Sequence, residues 1–269
     1  MKMQDLFSVS GKIAFVSGGS RGIGEMIAAG LLAHGATVYI SSRKKDTCDD
    51  TARRLSNEYG RKCVSIPADL STLDGIGEAV ERFGTYENSL DILVNNAGAS
   101  WGAPLDDFPE IGWDKVMNIN VKGVFFLIQK MLPYLEKSAS QEDPSRIINI
   151  GSVDGLRSPS FETFSYGPSK AAVHHLTRNL ATHLTMRHIN CNAIAPGPFP
   201  TWMLSTGVGA GGDTDLDWDA MARNNPRRRV GTPEDIAGVI VFLSSRAGAY
   251  TVGDVITCDG GALVCSTPM

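Results

Sequence analysis

The sequence predicts an α/β fold: a single Rossmann-like, doubly wound domain over residues 1–269, with a seven-stranded parallel sheet and helices on both faces. Three observations carry that expectation. Short apolar runs rich in β-branched residues recur along the chain, and stretches with helical spacing lie between them. Glycine is in excess, at 29 of 269 residues, roughly 11% against a usual level of about 7%. Strands that alternate with helices build βαβ units, which pair in parallel and need cover on both faces.

The strand-like runs are Ile13–Ser17, Thr37–Ile40, Cys63–Ile66, Ile92–Asn95, Arg146–Ile150, Ile189–Ile194 and Val255–Cys258. About six helical stretches separate them. Ile23, Ile27 and Leu31 recur every four residues, and Leu73, Ile76, Val80 and Phe83 at three and four. Val116, Val124, Ile128 and Leu132 belong to a longer apolar segment, expected as one helix. The last helix has a clear start: Thr232 as N-cap, Pro233 at the first position, then Glu234 and Asp235 at the positive end of the dipole. Glu136–Ser145 is a polar loop and not a linker.

Composition excludes several classes of function. The chain has 25 basic and 29 acidic side chains, a formal net charge of −4, which argues against binding nucleic acid through phosphate neutralisation. The five cysteines, Cys48, Cys63, Cys191, Cys258 and Cys265, form no C-x-x-C pair, and no His/Cys spacing matches a metal site. Cys63 and Cys258 lie in apolar runs and read as small core residues. No apolar run approaches the roughly 18 residues that span a bilayer. MKMQDLFSVSGK lacks the apolar stretch of a signal peptide. A soluble, cytoplasmic protein with no metal, nucleic-acid or membrane partner is expected.

The first glycine cluster reads as a phosphate site. Ser17-Gly18-Gly19-Ser20-Arg21-Gly22-Ile23-Gly24 joins the first strand to the first long helix. Free backbone N–H groups and the helix dipole then face an anion, and glycine keeps a Cβ out of a pyrophosphate's way. The end of the second strand speaks to the nucleotide. An enzyme that prefers NAD has an acid there for the ribose 2′-hydroxyl. Here the run is Ser41-Ser42-Arg43-Lys44-Lys45, with no acid before Asp46. Hydroxyls and a guanidinium suit a 2′-phosphate, so NADP is the expected cofactor, with Arg21 joining from the glycine turn.

Ser152 follows the fifth strand, and Tyr166 and Lys170 stand four apart entering a helix. An i, i+4 pair shares one helix face, and a nearby ammonium favours a phenolate. Such a tyrosine exchanges a proton with a carbonyl or alcohol oxygen near neutral pH, and Ser152 supplies a second hydrogen bond to that oxygen.

These motifs in this order resemble the short-chain dehydrogenase/reductase family from about residue 9 to 262: Gly18–Gly24, Asp69-Leu70, Asn95-Asn96-Ala97-Gly98, Asn120, Ser152, Tyr166 with Lys170, Pro196-Gly197 and Asp259-Gly260-Gly261. The resemblance implies Tyr166 as general acid/base, Lys170 on the nicotinamide ribose, and a homodimer or homotetramer with the Val116–Leu132 helix as its interface. It implies Ser152 on the substrate carbonyl and Asn120 in a proton relay from Lys170. It implies cofactor contacts at Gly18, Ser20, Arg21, Gly22, Ile23, Ser41, Ser42, Arg43, Asp69, Leu70, Asn96, Ala97, Gly98, Pro196, Gly197 and Thr201. For Asn95, Asn96 and Asn120 a structural role in capping or strand-end hydrogen bonds stays open. Ser100–Ala103, Asn149–Val153 and Ser165–Ala172 look most like the 3-oxoacyl-thioester (ketoacyl) reductases of the rhamnolipid-synthesis type, with gluconate 5-dehydrogenase-like members close.

The expected activity is NADPH-dependent reduction of a ketone, such as a 3-oxoacyl thioester or a specialised-metabolite ketone, to an alcohol. An NAD(P)-dependent polyol or hydroxysteroid dehydrogenase is the alternative, and a non-enzymatic cofactor-binding scaffold ranks last. Three features stay open. Residues 200–226 read as a substrate lid, with Trp202, Met203 and Leu204, a loose Gly207–Gly212 and the aspartates 213, 215, 217 and 219 as a solvated face. Asp154 either faces substrate or caps the following loop. Arg227-Arg228-Arg229 either grips a phosphate on an acyl carrier or lies at the surface.

Overall fold

The computed structural model describes residues 3–158, 161–207 and 216–265. The strands are β1 Ile13–Ser17, β2 Thr37–Ser41, β3 Cys63–Ser65, β4 Ile92–Asn95, β5 Ser145–Ile150, β6 Ile189–Pro196 and β7 Val255–Cys258. The helices are α1 Met3–Leu6, α2 Gly22–Ala33, α3 Lys45–Tyr59, α4 Leu73–Gly84, α5 Glu110–Met117, α6 Gly123–Ser138, α7 Tyr166–Leu184, α8 Trp202–Gly207, α9 Trp218–Asn224 and α10 Pro233–Ser244. All seven strands were legible as apolar runs: β1, β4 and β7 end where expected, and the others differ by one or two residues. β6 is the largest difference, since its pairing with β7 carries it through Ala195 and Pro196.

The strands form one sheet of order β3-β2-β1-β4-β5-β6-β7. Every neighbouring pair is parallel. Successive strand residues point to opposite faces, so β1 feeds two cores. Ala14 and Val16 pack with Ile27, Leu31, Ile40, Ile236 and Ile240 beneath α2 and α10. Phe15 packs with Tyr39, Phe83, Leu127, Ile128 and Ile147 beneath α4 and α6. Each such Leu, Ile or Phe taken from water contributes about 1.5–3 kcal/mol. Gly30 lets α2 and α10 meet closely, because a Cβ there would stand 2.6 Å from the Ala237 Cβ.

The direction of the winding reverses between β1 and β4. The crevice outside strand ends at such a reversal is where doubly wound sheets take ligands. Register sets the crevice walls: Ser17 is level with Ser41 on β2, and Val16 with Val94 on β4.

The segment expected as one helix from Val116 to Leu132 is two. A π turn, Asn118–Lys122, separates α5 from α6. One wider turn rotates the residues beyond it and aims Asn120 inward. Val116, Val124 and Ile128 are buried in the cores, so they are not the outer surface of this segment. The exposed large apolar residues of α5 and α6 are Ile111, Trp113 and Phe125. The start of α10 is as expected: Thr232 N–H donates to Asp235 Oδ2 at 2.8 Å in a reciprocal capping box. Cys63 is buried and Cys258 half-buried. No helix among the described residues is long and apolar enough to cross a membrane.

Candidate active site

A cavity of about 1250 Å³ opens along the carboxyl ends of the strands. Its wall brings together Gly18, Ser20, Arg21, Gly22, Ile23, Ser41, Ser42, Arg43, Asp69, Leu70, Asn96, Ala97, Gly98, Ser152, Tyr166, Lys170, Pro196, Gly197 and Thr201. Every residue the sequence nominated for cofactor or catalysis is there except Asn120, which lies behind the wall and is 1% exposed.

The glycine turn is built for close approach. Gly18 has φ +65°, and a Cβ on it would stand 2.8 Å from Asn96 Nδ2 and 2.9 Å from Ala97 Cα. Asn96 Nδ2 donates to the carbonyls of Ser17 and Gly18. The Ser17 hydroxyl accepts from the N–H groups of Asn96 and Ala97. The turn after β4 thus braces the turn after β1, which assigns Asn96 the structural role left open, at the cavity wall. Gly22 opens α2, whose N-terminal N–H groups and dipole face the crevice.

The β2 end carries Ser41, Ser42 and Arg43 and no carboxylate. Ser41 Oγ is buried and meets no hydrogen-bond partner among the described residues. The side chains of Arg21 and Arg43 likewise take no hydrogen bond or ion pair among the described residues. Open donors around a glycine cradle fit a dinucleotide with a phosphate on its ribose. The carboxylate of Asp69 accepts from the Ser71 N–H and hydroxyl at 3.0 and 2.7 Å, which fixes the turn before α4.

Tyr166 begins α7, is half-buried and opens on the cavity. Lys170, one turn on, is buried, and its Nζ donates to the Ile150 carbonyl at 2.8 Å. The Nζ lies 5.6 Å from the centre of the Tyr166 ring. The expected lowering of the tyrosine by the lysine is overturned in the protein alone. Desolvation pushes Tyr166 up to about 12, Asp154 adds to the rise, and the Ser152 hydroxyl opposes it. Burial brings Lys170 down to about 8. The ammonium is anchored on the Ile150 carbonyl at the end of β5, and burial decides the balance.

Ser152 caps the turn Val153–Gly155, its Oγ accepting from the Asp154 N–H at 3.1 Å. Asp154 is among the residues of the cavity wall, its carboxylate 3.9 Å from Arg157 Nε, and burial raises its pKa. Asn120 is held by three hydrogen bonds, with Ala99 N–H, the Ala99 carbonyl and the Ser169 hydroxyl. It flanks Gly98 with Lys170: a Cβ there would stand 3.1 Å from Asn120 Oδ1 and 3.7 Å from Lys170 Nζ.

Sequence reasoning missed two parts of this region. His174, one turn beyond Lys170, lies under the Ser152 turn, with Nε2 accepting from the Ser152 N–H at 3.4 Å. Desolvation, with Lys170 nearby, drives it down to about 4. Spacing from Tyr166 and Lys170 along the helix face carried that signal. The substrate end is walled by Val153, Phe161, Met203, Leu204 and Met221, scattered over four segments, of which only the lid pair Met203 and Leu204 was singled out. Residues 208–215, with Gly209, Gly211, Gly212, Asp213 and Asp215, lie outside the described residues. Asp217 is the N-cap of α9, accepting from the Ala220 N–H at 2.8 Å. Arg229 pairs with Asp235 at the surface, Nη2 to Oδ1 at 2.8 Å, so that member of the arginine run braces the α10 cap.

A family model described as enoyl-(acyl carrier protein) reductase matches residues 18–262. A rhamnolipids-biosynthesis 3-oxoacyl-(acyl-carrier-protein) reductase of Pseudomonas aeruginosa is 50% identical over 259 residues, 96% of this chain and 99% of that protein. A gluconate 5-dehydrogenase of Gluconobacter oxydans is 35% identical over 265 residues, 98% of this chain and 99% of that protein. Among solved structures, the Pseudomonas aeruginosa RhlG/NADP active-site complex superposes with a TM-score of 0.90 and 48% identity, over 97% of this chain and 99% of that one. With its parallel sheet, braced glycine turn and Tyr166–Lys170 pair beside Ser152, the chain belongs to the short-chain dehydrogenase/reductase family.

Proposed function

We propose that this protein is an NADPH-dependent reductase of ketones carrying an acyl chain, with 3-oxoacyl thioesters as the substrate class. The observation that carries it is the convergence of Tyr166, Ser152 and Lys170 on one cavity with the glycine turn at one end and an apolar wall at the other. Val153, Phe161, Met203, Leu204 and Met221 suit an acyl chain better than the hydroxyls of a polyol. The 3-oxoacyl substrate named for the Pseudomonas aeruginosa reductase and the NADP of its RhlG complex point the same way.

Bound NADPH supplies the hydride. Arg21 and Arg43 hold its 2′-phosphate, with Ser41 and Ser42 beside them, and the N–H groups of the glycine turn hold the pyrophosphate. Asp69 and Leu70 border the adenine, Asn96 to Gly98 pass the cofactor, and Pro196, Gly197 and Thr201 border the nicotinamide. Ser152 accepts a hydrogen bond from Asp154 N–H, which leaves its own hydrogen for the substrate carbonyl. Tyr166, held well above its ordinary pKa, stays protonated at neutral pH and gives that proton to the same oxygen. Lys170 holds the ribose hydroxyls, and Asn120 fixes the floor beside it, in line for the relay. The chain acts as one cytoplasmic catalytic unit with 200–226 as its lid. It assembles as a dimer or tetramer through the outer face of α5 and α6, where Trp113 and Phe125 are exposed.

The test is NADPH oxidation with 3-oxoacyl thioesters, simple ketones and keto-sugar acids. Thioesters should turn over fastest. Tyr166→Phe should lose roughly 10²–10⁴-fold in kcat while NADPH still binds. Retained turnover in that variant, or a preference for sugar acids, overturns the reading.

A further inference from the structure

Arg21 presents a planar guanidinium at the cavity wall, and Trp202 lies over it: the guanidinium carbon stands 4.2 Å from the centre of the indole. Trp202 is the first residue of α8, in the substrate lid. A second contact marks the same seam. A Cβ on Gly22 would stand 3.2 Å from Thr201 Cγ2, so the residue before Trp202 rests on the phosphate turn. Glu25, the first acid after Arg21 in the chain, is taken by Arg54.

A guanidinium offers two things in perpendicular directions. Its face stacks on aromatic rings, and its edge carries the N–H donors that grip a phosphate. At 4.2 Å from the ring centre, the Arg21 guanidinium carbon is at stacking distance over the indole. The edge takes no hydrogen bond or ion pair among the described residues. Both engagements can therefore exist at once, and the first limits the rotamers that the second would otherwise have to fix.

We propose that Trp202 is a positioning residue for cofactor selectivity: it holds Arg21 edge-on to the 2′-phosphate, so that discrimination between NADPH and NADH depends on an aromatic ring of the lid. The inference rests on the NADP(H) reading above. It makes the coupling reciprocal, since whatever the ring adds to 2′-phosphate affinity the phosphate returns to the docking of α8. An aromatic replacement keeps the stack and an aliphatic one does not.

Calorimetric titration of the full-length protein with NADPH, NADH, 2′,5′-ADP and 5′-AMP tests it. Trp202→Leu should weaken NADPH and 2′,5′-ADP roughly fivefold to tenfold, the range expected for a lost cation–π contact. NADH and 5′-AMP should bind as before, and Trp202→Phe should recover most of the loss. Trp202 is 60% exposed, so the truncation leaves both cores intact. The fluorescence difference between wild type and Trp202→Phe should respond to 2′,5′-ADP and not to 5′-AMP. If the wild type itself shows no preference for NADPH, the cofactor reading falls. If the wild type prefers NADPH and Trp202→Leu keeps the same ratio, the role of Trp202 falls.

Discussion

Ser17 and Asn96 hold each other from both sides: the Asn96 N–H donates to Ser17 Oγ at 2.9 Å, and Asn96 Nδ2 donates to the Ser17 carbonyl at 3.0 Å. The same amide nitrogen reaches the Gly18 carbonyl at 3.1 Å. Asn96→Ala removes both of those hydrogen bonds. We expect a loss of about 1–3 kcal/mol in stability, read by denaturant unfolding, together with weaker NADPH binding. Unchanged cofactor affinity would separate the brace from the phosphate turn.

Arg43 extends from the end of β2 without an ion pair among the described residues. Arg43→Asp removes a charge-assisted contact and puts a carboxylate against the 2′-phosphate. NADPH affinity should fall about 10-fold to 100-fold, with NADH gaining, in equilibrium titrations. A preserved NADPH preference would place the phosphate elsewhere.

Lys170 titrates within reach of experiment. Burial lowers its pKa to about 8, so the free protein loses the ammonium as pH rises through that value. NADPH affinity should be level below pH 8 and fall above it, by at most about tenfold per pH unit. Lys170→Arg keeps its charge, and its binding curve should stay flat through the same range.

His174 links pH to stability. It is 2% exposed, and its folded pKa is down at about 4 from the ordinary 6.5. Between those values the unfolded chain binds a proton that the folded chain refuses, so stability falls as pH drops through the window. Its share of the loss from pH 7 to pH 5 should be on the order of 2 kcal/mol. His174→Gln keeps a polar group under Ser152 without titrating. Unfolding at the two pH values should show a smaller drop in the variant than in the wild type, and equal drops would clear His174 of the role.

The fold was legible because the central strands are buried on both faces, so runs such as Ile13–Val16 and Ile92–Val94 read as unbroken apolar stretches. The break between α5 and α6 was not. A π turn preserves the apolar pattern on both sides and shifts only its phase, which a run of spacings from Val116 to Leu132 averages away. Site positions fixed by backbone turns, from Gly18 to Gly98, were legible for the same reason as the strands: a local motif carries them. The protonation balance was not, because the rise at Tyr166 comes from burial by distant segments, and four residues of spacing to Lys170 say nothing of that. The pairing of Arg21 with Trp202 is likewise a meeting of residues far apart in the chain, and neither has a local pattern that announces the other.

The bond between Ser17 and Asn96 spans 79 positions. Its consequence is one of timing. A growing chain finishes the whole glycine motif early, yet the carbonyls of that turn find their partner only once residue 96 has been made, and the wall at Pro196 and Gly197 arrives later still. A nascent chain stopped after β3 would carry the phosphate motif in full and present no phosphate site. Completion of the cavity wall is therefore deferred to the second half of synthesis.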